Sequence, residues 1–205
     1  IAPLTRPPSQ AYSGPHMWRL ASQKPKPIVL LLGPSGSGKS TVAESVRDRH
    51  GYLHIEIDRG TEADVLQLEG LRAPWDEFRT QNNPANLAGE IRRRILSSRS
   101  KGALVSFPST IALSAEQIQA AKSLGICVAV LYGTRADCLQ SFLRRERALN
   151  RGLDEAHWIK HNEESHALFG APPYAPHRIP AFADGTHRNR KTLAKEIARM
   201  ARRCR

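Results

Sequence analysis

The chain predicts an α/β domain built on an open parallel sheet with helices on both faces. Three observations carry that expectation. Ile28 to Leu32 is a continuous apolar run, a glycine-rich turn follows it directly, and strand-like and helix-like segments alternate from there onward.

An unbroken apolar run suits a central parallel strand covered on both faces. The helix expected next runs from Lys39 to Arg49 and stops at Gly51. Tyr52 to Asp58 alternates polar and apolar residues, the pattern of a half-exposed strand near a sheet edge. Residues 59–100 are polar and helical, with Leu87, Ile91 and Ile95 spaced for one buried face. Ala103 to Phe107 is the third strand. Ser114 to Leu124 reads as a helix with Ser114 as its cap and Gln117 three residues on, a capping-box spacing. Cys127 to Tyr132 is the fourth strand, followed by a long helix from Arg135 to Arg147 and another near Glu155 to Leu168. A weak fifth strand, His177 to Phe182, leads to a last helix, Lys191 to Arg202, that buries Leu193, Ile197 and Met200.

The bulk properties narrow the function classes. At 205 residues, 40% of them hydrophobic, the chain fits one domain with a real core. Its longest apolar run is far too short to cross a bilayer, and no signal-peptide pattern opens it, so the expected compartment is the cytoplasm. Cys127, Cys138 and Cys204 are odd in number and lack metal-ligand spacing; reduced thiols are expected. Residues 1–26, rich in Pro, Ser and Gln, read as a mobile N-terminal arm ahead of a single domain over 27–205. The formal charge of +12 sits at the ends: +4 in residues 1–26 and +7 in residues 186–205, leaving +1 for the body. A polynucleotide-tracking groove needs positive charge along the body itself, so nucleic acid is not the expected partner.

Residues 33 to 41, Gly33-Pro34-Ser35-Gly36-Ser37-Gly38-Lys39-Ser40-Thr41, satisfy G-x-x-x-x-G-K-[ST] between a strand and a helix, the setting that gives this motif meaning. Its glycines let the backbone wrap until successive N–H groups face phosphate oxygens, and the helix start adds partial positive charge. In that chemistry Lys39 bridges the β- and γ-phosphates of ATP, Ser40 ligates Mg²⁺, and Thr41 reaches the α-phosphate or the backbone. Two other matches are coincidental. Asp154-Glu155-Ala156-His157 spells a helicase metal motif but follows a polar loop instead of a strand. Thr134-Arg135-Ala136-Asp137 lacks the lysine of the guanine-reading element.

Asp58 at the end of the second strand, Ser106-Phe107-Pro108-Ser109-Thr110 at the end of the third, and Arg144-Arg145-Glu146-Arg147 with Arg151 after the fourth complete a pattern. It resembles the P-loop small kinases, the adenylate, shikimate and gluconate kinase group. The resemblance implies a five-stranded sheet in the order 2-3-1-4-5, a substrate lobe over 59–100, a small lid over 144–160, and transfer from ATP to a hydroxyl. It gives Asp58 the acceptor hydroxyl, although the position also suits a helix cap or a partner for Arg59. It assigns Arg144, Arg147 and Arg151, on one helical face, to the transferred phosphoryl group, with Leu139, Phe142 and Leu143 as anchors and Arg145 pointing elsewhere. Asp184 and Gly185 fall where the family's adenine-contacting loop lies. Ser109 stands in place of the arginine that holds AMP in adenylate kinases, and Val105 and Ser106 replace their acid. A small-molecule acceptor therefore fits better than AMP; a nucleotide or nucleic-acid-end kinase and a regulatory ATPase are the alternatives. Glu56 faces the same side as Asp58 and is open to Mg²⁺ or to solvent. His161 and His166 receive no chemistry.

Overall fold

Ile28–Leu32 forms β1 at the middle of a five-stranded sheet, every residue of it buried. The computed structural model describes residues 25–57, 70–149 and 154–204. The sheet runs β2 (Leu53–Glu56), β3 (Ala103–Ser106), β1, β4 (Ile126–Tyr132), β5 (Arg178–Pro180), with every pairing parallel. Leu30 lies in register with Val105 on one side and Val128 on the other.

Alternation along β1 divides the core in two, because successive side chains of a strand point to opposite faces. Ile28, Leu30 and Leu32 join the first cluster, with Trp75 and Phe78 of α2 (Arg72–Gln81), Leu87, Ile91 and Ile95 of α3 (Ala85–Ser97), and Ile118 of α4 (Ala115–Ser123). Val29 and Leu31 join the second, with Val42 and Val46 of α1 (Lys39–His50) and the last helix. Two covered faces make three layers. Each β1 side chain so buried contributes about 2 kcal/mol. The capping box on α4 is present: Ser114 Oγ accepts from the Gln117 amide, and the Gln117 side chain accepts from the Ser114 amide.

The remaining helices are α5 (Arg135–Ala148) and α6 (Glu155–Gly170), a 3₁₀ turn over Pro172–His177, and α7 (Arg190–Arg203). The last buries Leu193 and Ile197, and Met200 packs against the same cluster in part.

Three expectations are corrected. The fifth strand is shorter than His177–Phe182, because past Pro180 the chain leaves the sheet. Phe182–Ala183 (β6) and Thr186–His187 (β7) instead form a two-residue hairpin. Its turn residues, Asp184 and Gly185, have φ of 51° and 72°, the positive values that the tight turn of such a hairpin demands. Second, Cys127 and Cys204 are joined in a disulfide, with Cα atoms 5.8 Å apart, and only Cys138 is a free thiol. Their separation of 77 positions in sequence hid this, since only the packing of α7 against β4 brings them together. Third, the anchors of α5 are Cys138, Phe142 and Glu146; Leu139 and Leu143 are only partly buried. The expected N-terminal arm, as far as residue 24, lies outside the described residues, as do Asp58, Arg59 and Arg151. Among the described residues no helix is long and apolar enough to cross a membrane.

Candidate active site

The loop after β1 is shaped by glycines that tolerate no side chain. A Cβ on Gly33, at φ +142°, would lie 2.2 Å from the Leu131 carbonyl oxygen; one on Gly36 would lie 2.0 Å from that of Cys138. Gly36 is thus seated directly on α5. Gly38, in the left-handed conformation, heads α1, and no side chain caps that helix. Its first-turn amides and its dipole are consequently aimed into the loop, as an anion site requires. Lys39 Nζ donates to the Gly33 and Pro34 carbonyls at 2.8 and 3.1 Å, which holds its ammonium across the loop.

A cavity of about 90 Å³ opens above this loop, lined by Lys39, Ser40, Thr41, Glu56, Ser109 and Arg145 among others. Ser40 Oγ donates to Glu56 Oε1 at 2.5 Å. A hydroxyl beside a carboxylate, both oxygen donors, is a ligand set that suits a hard divalent cation. The end of β3 supplies no acid: Ser106, 2% exposed, bonds His54 Nε2 at 2.9 Å. Among the described residues, the acid of this cavity therefore comes from β2.

Among the described residues the arginine in the cavity is Arg145, the one expected to point elsewhere. Arg144 is exposed and outside the lining; Arg147 is exposed and paired with Glu155 at 2.6 Å. Arg145 leans over Phe142 (5.2 Å to the ring) and binds the buried Glu146 through Nε at 2.7 Å. The phase of α5 explains this. Cys138 and Phe142 turn inward onto Gly36, so the adjoining stripe Asp137, Ser141, Arg145 faces the site.

The segment expected as a lid carries α6 back onto α5, with Phe142 and Trp158 ring centroids 5.0 Å apart. Asp154 caps α6 by accepting from the His157 amide, which is the structural use of the helicase-like tetrad. Further along, Asn162 is fully buried and donates to the Ser35 carbonyl at 3.1 Å. Ser35 and Ser109 hydroxyls share a hydrogen bond of 2.7 Å, and Ser109 meets His161 Nε2 at 3.1 Å. The phosphate loop, the end of β3 and α6 are thereby tied together. A side cavity of about 280 Å³ between Thr110, His161, Glu164 and Leu168 opens beyond Ser109.

Toward the N-terminal end of the same α5 face lies a larger cavity of about 560 Å³, between Tyr132, Thr134, Asp137, Phe182, Asp184 and Gly185. Tyr132 is stacked on His166 (4.7 Å) and covered by the Arg178 guanidinium (4.7 Å), giving a flat aromatic wall. Thr134 caps α5 and donates to Asp137 Oδ2 at 2.6 Å, leaving Oδ1 toward Gly185.

No family model matches the chain. A solved structure of a putative kinase from Chloroflexus aurantiacus superposes with a TM-score of 0.52 at 10% identity, covering 90% of this chain and 100% of that one. The fold is that of the P-loop small kinases. A gluconokinase from Sinorhizobium meliloti aligns at TM-score 0.49 and 18% identity, over 88% of this chain and 97% of its own. In sequence the chain is 42% identical over 62 residues to a cytidylate kinase of Geobacter sulfurreducens, which is 30% of this chain and spans only 24% of that kinase's length.

Within this P-loop kinase fold, the sequence reading missed Arg145, His161 and the hairpin, and left Glu56 open. The i, i+4 pair Cys138 and Phe142 was the one available signal for the phase of α5. For His161 no local signal exists, because its partner Ser109 lies 52 residues away.

Proposed function

We propose that this chain transfers the γ-phosphate of ATP, taken with Mg²⁺, to a hydroxyl of a small-molecule acceptor. The observation that carries the reading is the convergence of Lys39, Ser40, Glu56 and Arg145 on one cavity at the carboxyl edge of a parallel sheet. Loop amides and Lys39 bind the phosphates, and Arg145 meets the charge that spreads over the transferring group. Ser40 and Glu56 are the residues that would hold Mg²⁺, which would supply positive charge to offset that of the phosphates. The flat-walled cavity beside Tyr132, with Asp184 and Gly185 at its rim, is assigned to the base of the nucleotide. Ser109 and the side cavity beyond it offer hydroxyl and imidazole groups to an acceptor.

Asp58 is kept as the group that orients the acceptor hydroxyl and takes its proton. Asp58→Asn should hold ATP affinity and lower transfer by on the order of 10²-fold or more. A mutant with full transfer would remove Asp58 from the mechanism, since asparagine caps a helix about as well. Arg147 and Arg151 are proposed as secondary contacts of a closed lid, and Arg144 as a more distant charge.

One observation favours a second reading, a nucleotide acceptor: the 62-residue likeness to a cytidylate kinase. Ser109, standing where an AMP-holding arginine would be, weighs against it. The deciding experiment supplies γ-labelled ATP and a fractionated metabolite pool, then identifies the labelled product by mass. A phosphorylated alcohol supports the leading reading and a nucleoside diphosphate the second. Label released only as inorganic phosphate would make the chain an ATPase.

A further inference from the structure

His187, at the end of the β6–β7 hairpin, stands between the two cavities assigned to the nucleotide. Its ring packs against one lining residue of each. It is stacked on Phe182, a wall of the larger cavity, with centroids 4.1 Å apart. Its Cε1 lies 3.2 Å from where a Cβ on Gly38 would be, and Gly38 lines the phosphate cavity. The third contact is with α5: Ser141 Oγ and His187 Nε2 share a hydrogen bond of 2.8 Å.

The placement of Ser141 gives this contact its meaning. Asp137 lines the larger cavity, Arg145 lines the phosphate cavity, and Ser141 is midway between them at i+4 of one helical face. Eight residues of α-helix separate Asp137 from Arg145, about 12 Å along the axis. A triphosphate in the loop joined to a base beside Tyr132 would run along this stripe, with its sugar level with Ser141. The ring on the opposite bank at that level is His187.

We propose that His187 is a nucleotide-binding residue that contacts the sugar and the adjoining face of the base of a bound purine nucleoside triphosphate, with Ser141 as the positioning residue that aims its ring. The inference rests on the kinase reading above and adds a contact to it. The electrostatics fit a neutral ring. Although the residue is exposed as a whole, burial of the ring's inner side lowers its pKa. Backbone groups of Ala181 and Gly36 and the Asp137 carboxylate oppose that shift, while the Arg144 guanidinium adds to it. A neutral imidazole stacks and shares hydrogen bonds with hydroxyls, whereas a phosphate contact would call for a charged one.

The test is calorimetric titration of the full chain with Mg·ATP and, separately, with inorganic tripolyphosphate, which fills only the phosphate loop. His187→Ala should weaken Mg·ATP about tenfold and leave tripolyphosphate within twofold. His187→Gln, which keeps a polar group of similar reach and guards against misfolding, should lose the stacking and weaken Mg·ATP by about threefold or more. Ser141→Ala should weaken it in the same direction by about two- to threefold. Wild-type Mg·ATP affinity in both His187 variants would overturn the proposal. Equal loss for both ligands together with a lowered Tm would overturn it too, since a hairpin staple behaves that way. Failure of the wild-type chain to bind either ligand would instead remove the kinase reading, and this contact with it.

Discussion

Ser40 on the first turn of α1 donates its hydroxyl to Glu56 at the end of β2, linking the phosphate loop to the neighbouring strand end across β3. With Ser106 at the end of β3 engaged by His54, Glu56 is the acid that reaches the loop among the described residues. Glu56→Gln is therefore expected to lower the affinity for ATP in the presence of Mg²⁺ by about tenfold and to leave Mg²⁺-free ATP binding nearly unchanged. Titrations with and without the ion check this. An equal effect in both would mean that Glu56 only holds Ser40 in place.

The arginines of α5 should rank differently from their order of appearance in the chain. Arg145→Ala is expected to lower phosphoryl transfer by on the order of 10²-fold, the scale of one lost charge stabiliser. Arg147→Ala should cost less, because its guanidinium is paired with Glu155 at the exposed end of the helix hairpin. Single-turnover rates of the two variants decide the ranking; a larger loss for Arg147→Ala would move the lid assignment back to the outer residues.

The cysteines give a prediction independent of any substrate. Burial pushes the Cys138 thiol up to about 11, so it stays protonated and inert in the folded chain. With Cys127 and Cys204 joined, alkylation without reductant should add one group in denaturant and none to the native protein. Reduction followed by denaturing alkylation should add three. Three additions in denaturant without prior reduction would contradict the disulfide.

Local pattern was enough to read the elements that build the phosphate site. An apolar run, three glycines and a lysine at fixed spacing leave one arrangement, and Leu87, Ile91 and Ile95 announce their own buried face. The strand order 2-3-1-4-5 followed from likeness to other kinases, and the structure has it. What stayed hidden depends on distant partners. The choice of Arg145 over Arg144 and Arg147 goes with the seating of Cys138 and Phe142 against Gly36, a contact more than a hundred residues distant in sequence that the Cys138–Phe142 spacing only hints at. The hairpin at Asp184-Gly185 carried a turn signal, yet Phe182 reads equally well as a strand residue until Pro180 ends the ladder. Cys204 finds Cys127 only after α7 has docked.

Lys39 tests the central claim most directly. Its side chain arches over the loop onto Gly33 and Pro34 and takes no part in either core cluster, so Lys39→Ala should fold and melt like the wild type. The measurement is transfer of label from γ-labelled ATP into the metabolite pool by the two proteins side by side. Labelled product should form with the wild type and fall below detection with Lys39→Ala. Equal labelling by both would contradict the assignment of this loop as the phosphate-handling centre.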